Sequence, residues 1–475
     1  MTPSPLPADL RSGILHLGLG AFHRAHQAAF TQDAIAAAGG DWGIEAVSMR
    51  NPALAEVLNA RGGRYTLIER HPDGPRLQEI TVIRRAHALP VNTDAVAARM
   101  ADPSIHVVTI TVTEKGYGAH IGAKRLDREN PCVVQDLANP GAAPQSLVGL
   151  LCLGLSKRRA AGLAGLSILS CDNISDNGHL LRALVLELAG ETDPDLRDWI
   201  ARTCTFPCSM VDRITPAAQA ETLALANGDP AAIETEPFRQ WVIEDAFAGP
   251  RPAWEKAGAL LVADVRPFED MKLRLLNGAH SLLAYSGALL GLDMVRDVMA
   301  DARLAAVIRW HMASAAHSLA PVPGFEIDGY IDDLLARFAN PAIAHRCKQI
   351  AMDGSQKLPQ RLFAPALDLI AKGQSFESCA LATAVWLRFV QGTDAQGQPL
   401  ALDDPLAEGL RRAVADAKGD PSRLVSNVGA ILGPVAAALW ANAAWQAAVT
   451  GYLRTLAQDG VAAVLHAAVD TANRP

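Results

Sequence analysis

The sequence predicts a two-part chain: an α/β N-terminal domain on a parallel-rich sheet over residues 1–266, and a mostly α-helical C-terminal domain over residues 267–475. Three observations carry this. In the first half, short Val/Ile-rich runs alternate with Ala-rich helical stretches, the pattern of strands buried on both faces and joined by crossover helices. From about residue 268 those runs thin out, and long Ala/Leu-periodic segments take over. The chain of 475 residues, 50% hydrophobic and 20% charged, is also long enough for two or three domains with sizeable cores.

Taken in order, "GILHLGLG" (13–20), "WGIEAVSMR" (42–50), "IHVVTITVT" (105–113) and "LSILSCDN" (166–173) read as strands, and "AHQAAFTQDAIAAAG" as the helix after the first of them. The composition shift at "DVRPFED", residues 264–270, places the domain boundary. Beyond it, "AVIRWHMASAAHSLA", "YIDDLLARFA", "ALATAVWLRFVQG" and "AEGLRRAVADA" read as helices. The apolar stretch 428–449 contains Gly433, Pro434, Asn442 and Gln446 and is mostly alanine, so it reads as a buried helix rather than a membrane span.

"ILHLGLGAFHRAH" places Gly18-Leu19-Gly20 between an apolar strand and a helix opened by Ala21 and Phe22. Such a turn lets backbone approach a pyrophosphate at a helix N-terminus. The third position of the GxGxxG fingerprint is His23, so the motif is also what a tight turn without ligand would show. No acid stands at the tip of the second strand, where Arg50 is found and Glu45 lies inside the strand. An acid there would bind a ribose 2′-hydroxyl and an arginine can accept a 2′-phosphate, which leaves NAD or NADP open. His23 and His26 lie three apart, but no carboxylate or cysteine cluster completes a metal set, and no metal is expected.

"MKLRLLNGAHSLLAYSG", residues 271–287, reads as a helix buried around most of its circumference that nevertheless carries Lys272, Asn277 and His280. At α-helical spacing these fall at roughly 0°, 140° and 80°, on one side. That side is either a satisfied polar seam or the floor of an active site.

The net charge of −7, with no basic block, excludes a nucleic-acid partner. Seven cysteines without a CxxC pattern point to a reduced, cytoplasmic protein, and the N-terminus carries no signal-peptide pattern. Without coiled-coil heptads the default expectation is a monomer, a weak homo-oligomer remaining open.

Together, "GLGAFHRAHQ", "LSCDNISDNG", "FPCSMVDRITP" and the 271–287 stretch resemble the mannitol dehydrogenase family of long-chain, zinc-independent polyol and uronate dehydrogenases, from about residue 13 to 460. The resemblance implies a Rossmann-type N-terminal domain and a helical C-terminal domain with the site between them. It further implies NAD as cofactor, NADP not being excluded, and a small sugar acid or polyol as substrate. By the same resemblance Lys272 is the general acid/base, Asn173 and Asn277 hold the reacting oxygen, and His280 fixes the substrate. Chemistry agrees: without zinc, proton transfer needs a side chain and the developing alkoxide needs N–H donors. Gly18, Gly20, Ala21, Phe22 and Arg50 are the cofactor-contact candidates.

"DGSQKLPQR" resembles the fructuronate reductase, or mannonate oxidoreductase, branch, so reversible reduction of D-fructuronate to D-mannonate is the expected activity. Mannitol or another polyol, or tagaturonate, are the alternatives. Gln349 stands where the mannitol branch has arginine. Lys357 matches a substrate-contacting lysine, and Arg361 is expected either to grip the uronate carboxylate with it or to be a surface ion-pair residue, with Pro359 interrupting the helix between them. Cys208 departs from the family's asparagine, and Asp212 and Arg213 read as a structural ion pair between domains.

Overall fold

The computed structural model describes residues 6–472, and the chain divides into two compact units, Met1–Arg266 and Pro267–Pro475. The first is organised by a five-stranded sheet. Its strands are β1 (Ser12–Leu17), β2 (Gly43–Ser48), β3 (Ile83–Ala88), β4 (Val107–Ile110) and β5 (Ser167–Ser170), in the order β3-β2-β1-β4-β5, every pairing parallel. This is the order of a dinucleotide fold through its fifth strand.

Burial of both faces explains the near-continuous apolar runs. Leu15, Val47, Val108 and Ile168 point into one core, packed with Leu150, Leu155 and Leu184. Their neighbours Ile14, Ala46, Val107 and Leu169 point into the other, with Phe30, Trp241 and Trp254. The helix after β1 is broken at His26 (φ −117°, ψ −83°) into α1 (Ala21–Ala25) and α2 (Gln27–Ala38). A three-stranded sheet of Ile233–Thr235, Tyr65–His71 and Gly74–Ile80, the last two antiparallel, and a second of Ser209–Asp212, Gln240–Glu244 and Leu260–Val262 complete the unit's strands beyond the short pair at 119–126.

The second unit is helical. A helix over Arg266–Met271 passes into a π-helical segment, Lys272–Asn277, and then into α3 (Gly278–Leu290), where every residue from Gly278 to Leu289 is buried. A second π segment, Pro359–Phe363, follows α4 (Gly354–Leu358). Pro359 therefore does not end the helix: its φ of −52° and ψ of −42° are helical, and the α turn gives way to the π turn at that residue. The stretch 428–449 is a correction, because it belongs to three helices, Pro421–Gly429, Pro434–Trp440 and Ala443–Asp459. Pro434 starts the second, and the Asn442 side chain caps the third by accepting from Trp445 N at 3.0 Å. Among the described residues, no helix is long and apolar enough to cross a membrane.

Candidate functional site

In the first unit, the C-terminal ends of β1, β2 and β4 surround a cavity of about 570 Å³ whose lining includes Gly18, Gly20, Ser48, Arg50, Thr111 and Thr113. Ligands of open α/β sheets bind at this edge, where the strand order reverses between β1 and β4. Gly18 is obligatory there. Its φ is +112°, and a Cβ would lie 1.9 Å from the Thr111 carbonyl oxygen. Gly20 is different, since a Cβ would meet nothing closer than 3.7 Å. The fold does not need that glycine, but close approach of a phosphate to the backbone does. Ala21 is exposed, and Phe22 stacks on His26 with centroids 4.9 Å apart. These features fit a dinucleotide.

At the third fingerprint position His23 is fully buried and stacks on His16 at 3.4 Å. His16 is fixed in turn by Thr109, Thr111 and the Gly18 carbonyl. Burial pushes His16 and His26 down to about 3, so both are neutral packing groups. Arg50 is exposed at the tip of β2, while Glu45 is committed to Arg99 at 2.8 Å and His87 at 2.8 Å.

Asp172 and Thr113 escaped the sequence reading. The Asp172 carboxylate accepts from Val112 N at 3.0 Å, Thr113 N at 2.8 Å and the Tyr117 hydroxyl at 2.8 Å. It thereby holds Thr113 at φ 67°, ψ 165°, a region that essentially only glycine occupies. The cost is of order 1–3 kcal/mol and is borne by a residue lining the cavity. The only signal was position, an acid two residues beyond the end of β5. Asn173 follows it and is exposed. Arg213 does not make the ion pair between domains that was expected: within the first unit it pairs with Glu69 at 2.5 Å and donates to the carbonyls of Ala25 and Glu236.

The second unit gathers Lys272, Asn277, His280 and Arg361. A π turn closes i→i+5 bonds and is frequent at functional sites. It brings Lys272 and Asn277, five apart, nearer to one face than the α-helical spacing predicted. Lys272 is 7% exposed. Arg361, on the second π turn, donates to the Asn277 carbonyl at 3.4 Å and the Ser281 hydroxyl at 3.2 Å. Gly278 makes room for this approach, because a Cβ there would stand 3.0 Å from the Arg361 carbonyl. Arg361 is thus not a surface ion-pair residue: among the described residues it has no acidic partner, and burial pushes its guanidinium down to about 10.

His280 lies 4.4 Å from the Phe338 ring and 5.2 Å from His345. Its Nε2 is buried without a hydrogen-bond partner. Burial first, then His345, Arg361, Arg337 and Lys272, hold it well below the usual imidazole range, so it is neutral. His345, whose Nδ1 is likewise unpartnered, was missed; a lone histidine in "NPAIAHRCK" gives no pattern. Lys357 Nζ donates to the Met352 carbonyl at 2.6 Å and lies 3.9 Å from Asp353.

The mannitol dehydrogenase Rossmann domain model matches residues 12–256, and the mannitol dehydrogenase C-terminal domain model matches residues 264–444. The chain belongs to the mannitol dehydrogenase family. It is accordingly an oxidoreductase acting on a CH–OH group. D-Mannonate oxidoreductase of Escherichia coli is 42% identical over 96% of each chain. Among solved structures, Pseudomonas fluorescens mannitol 2-dehydrogenase, in a ternary complex with NAD and D-mannitol, is 34% identical with a TM-score of 0.83, over 99% of this chain and 96% of that one. A substrate-free D-sorbitol dehydrogenase is 30% identical with a TM-score of 0.89, over 98% and 97%.

Proposed function

We propose that this family member is an NAD-dependent fructuronate reductase, converting D-fructuronate reversibly to D-mannonate. The observation that carries the reading is Arg361, a largely desolvated guanidinium that among the described residues has no acidic partner, set against the Lys272–His280 helix. A buried cation is costly unless paired, and a sugar-acid carboxylate supplies the missing partner in a form that arginine can grip with two hydrogen bonds. A polyol brings only hydroxyls. The 42% identity to a D-mannonate oxidoreductase supports the same choice.

Nicotinamide, when bound, supplies or takes the hydride. The other work falls to side chains. Lys272 gives the proton to the nascent hydroxyl in reduction and takes it in oxidation. Asn173 and Asn277 donate N–H groups to the oxygen as negative charge develops on it. His280 is neutral, so its Nε2 offers one hydrogen bond to a sugar hydroxyl without adding a charge. Lys357 joins Arg361 at the carboxylate end. Gly18, Gly20, Ala21, Phe22 and Arg50 hold the dinucleotide, and because Arg50 replaces the usual acid, NADPH is expected to serve measurably beside NADH. The free state of all seven cysteines supports a cytoplasmic setting.

A polyol dehydrogenase is the second reading, favoured by the likeness to an enzyme solved with D-mannitol. Initial rates with D-fructuronate, D-tagaturonate and D-fructose, each with NADH and NADPH, separate the two. Higher kcat/KM for fructuronate is expected; a preference for fructose overturns the proposal.

A further inference from the structure

Among the described residues, one cluster of ligating side chains lies outside the groups used above. Asp176, His179 and Cys208 of the first unit place a carboxylate oxygen, an imidazole Nδ1 and a thiol sulfur all within 4.8 Å of one another. Cys208 Sγ stands 3.6 Å from Asp176 Oδ1 and 3.7 Å from His179 Nδ1, and Asp176 Oδ1 is bonded to that same Nδ1. A zinc-like ion with bonds of about 2.3 Å to sulfur and about 2.1 Å to nitrogen or oxygen has tetrahedral S···N and S···O edges of about 3.6 Å. Two of the three edges therefore already have ligating length. The third, a direct hydrogen bond, opens when an ion takes its place.

The scaffold holds these groups in place. Asp176 adopts a left-handed conformation (φ 58°) at the start of the helix Asn177–Thr192, which puts His179 in its first turn. The Asn177 side chain accepts from Ser209 N at 3.0 Å and donates to Ser209 O at 2.8 Å, fastening that turn beside Cys208. Gly178 permits the approach, since a Cβ there would meet the Phe206 carbonyl at 2.4 Å. Lys124 pairs with the second oxygen of Asp176, Oδ2. Cys208 N donates to Glu244 Oε2 at 2.9 Å, which fixes the thiol's backbone.

We infer that Asp176, His179 and Cys208 form a binding site for one zinc-class divalent cation, with an open fourth position for water. Borderline-soft ions favour this mixed S, N, O set, whereas magnesium and calcium do not. The Cys208 proton leaves to solvent on binding, because the ion takes thiolate and not thiol. Asp176 lies three residues beyond Asn173, so occupancy acts on the loop that carries that side chain.

Cobalt(II) is the probe, because thiolate coordination gives it a charge-transfer band that oxygen and nitrogen ligands alone do not. Titration of the full chain, with equilibrium dialysis in parallel, is expected to show one tightly held ion, displaced by zinc, with the band present. Cys208→Ser should abolish the band, and His179→Gln, a change at an exposed side chain, should weaken binding at least about tenfold while leaving the circular dichroism intact. Cys132→Ser, at the one cysteine that is not fully buried, should leave the band unchanged. Absence of a stoichiometric ion, or a band that survives Cys208→Ser, overturns the inference.

Discussion

Replacing Arg361 by methionine should stabilise the protein and disable it toward one substrate class only. Burial lowers the guanidinium from 12.5 to about 10, and each unit corresponds to about 1.4 kcal/mol, so the charge costs the folded state about 3 kcal/mol. The sign follows from linkage: the unfolded chain holds that proton more tightly, so the penalty is present in full below pH 10, across the whole working range. Methionine keeps most of the apolar stem and forfeits the bonds to Asn277 O and Ser281 Oγ, about 1 kcal/mol each. The net is a gain of about 1 kcal/mol, or a Tm higher by about 2–4 °C for a domain of this size. Toward a ketouronate, losing a two-pronged charged contact worth about 3–4 kcal/mol lowers kcat/KM by about 10²- to 10³-fold. Fructose, which has no carboxylate, should be reduced at a rate within about threefold of the parent. Calorimetry and initial rates with both substrates test this. Equal losses on both, or a stability loss above about 2 kcal/mol, refute the picture of an unpaired cation awaiting an anion.

Lys272→Ala is expected to lower kcat by about 10³-fold or more while NADH binding, read by fluorescence, changes less than about threefold; near-native turnover removes Lys272 from the chemistry. Gly18→Ala and Gly20→Ala should separate fold from ligand. The first forces a Cβ 1.9 Å from a carbonyl and should unfold the first unit, and the second should leave Tm unchanged but weaken the dinucleotide about tenfold or more. His16 and His26, both pushed down to about 3, stay neutral when folded and take protons when unfolded. Stability should therefore fall with pH below 6.5, by about 1 kcal/mol for each of them between pH 6.5 and 5.5, as read from urea midpoints; a flat profile excludes their burial as neutral rings.

The strands β1, β2, β4 and β5 were legible because burial on both faces demands continuous apolar residues. The edge strand β3, "IRRAHA", was not: Arg84 and Arg85 are exposed on a strand with one neighbour, and its pattern is that of a loop. The antiparallel Tyr65–His71 and Gly74–Ile80 pair was missed for the same reason, since Pro75, Arg76 and Leu77 face solvent. In the site, Lys272, Asn277 and His280 stood out as polar groups in an apolar helix. The π turns under them did not, because periodicity analysis assumes a fixed angle per residue, and one extra residue in a turn leaves no mark on composition.

What the sequence reading missed has a common physical origin. Thr113 in a glycine-only region, two π segments, a guanidinium without a carboxylate and an imidazole nitrogen without a partner each break a local rule of folding. Natural chains keep such violations where function needs them. In the second unit, an anion with hydroxyl groups would satisfy the guanidinium and the imidazole nitrogen together. D-Mannonate should then stabilise the chain more than D-mannitol does at equal concentration, both in the presence of NAD. At one hundred times its Kd a ligand adds about 2.7 kcal/mol, which calorimetry resolves easily. A larger shift with mannitol would mean that Arg361 repels no neutral sugar and seeks no anion, and the polyol reading would then be the stronger.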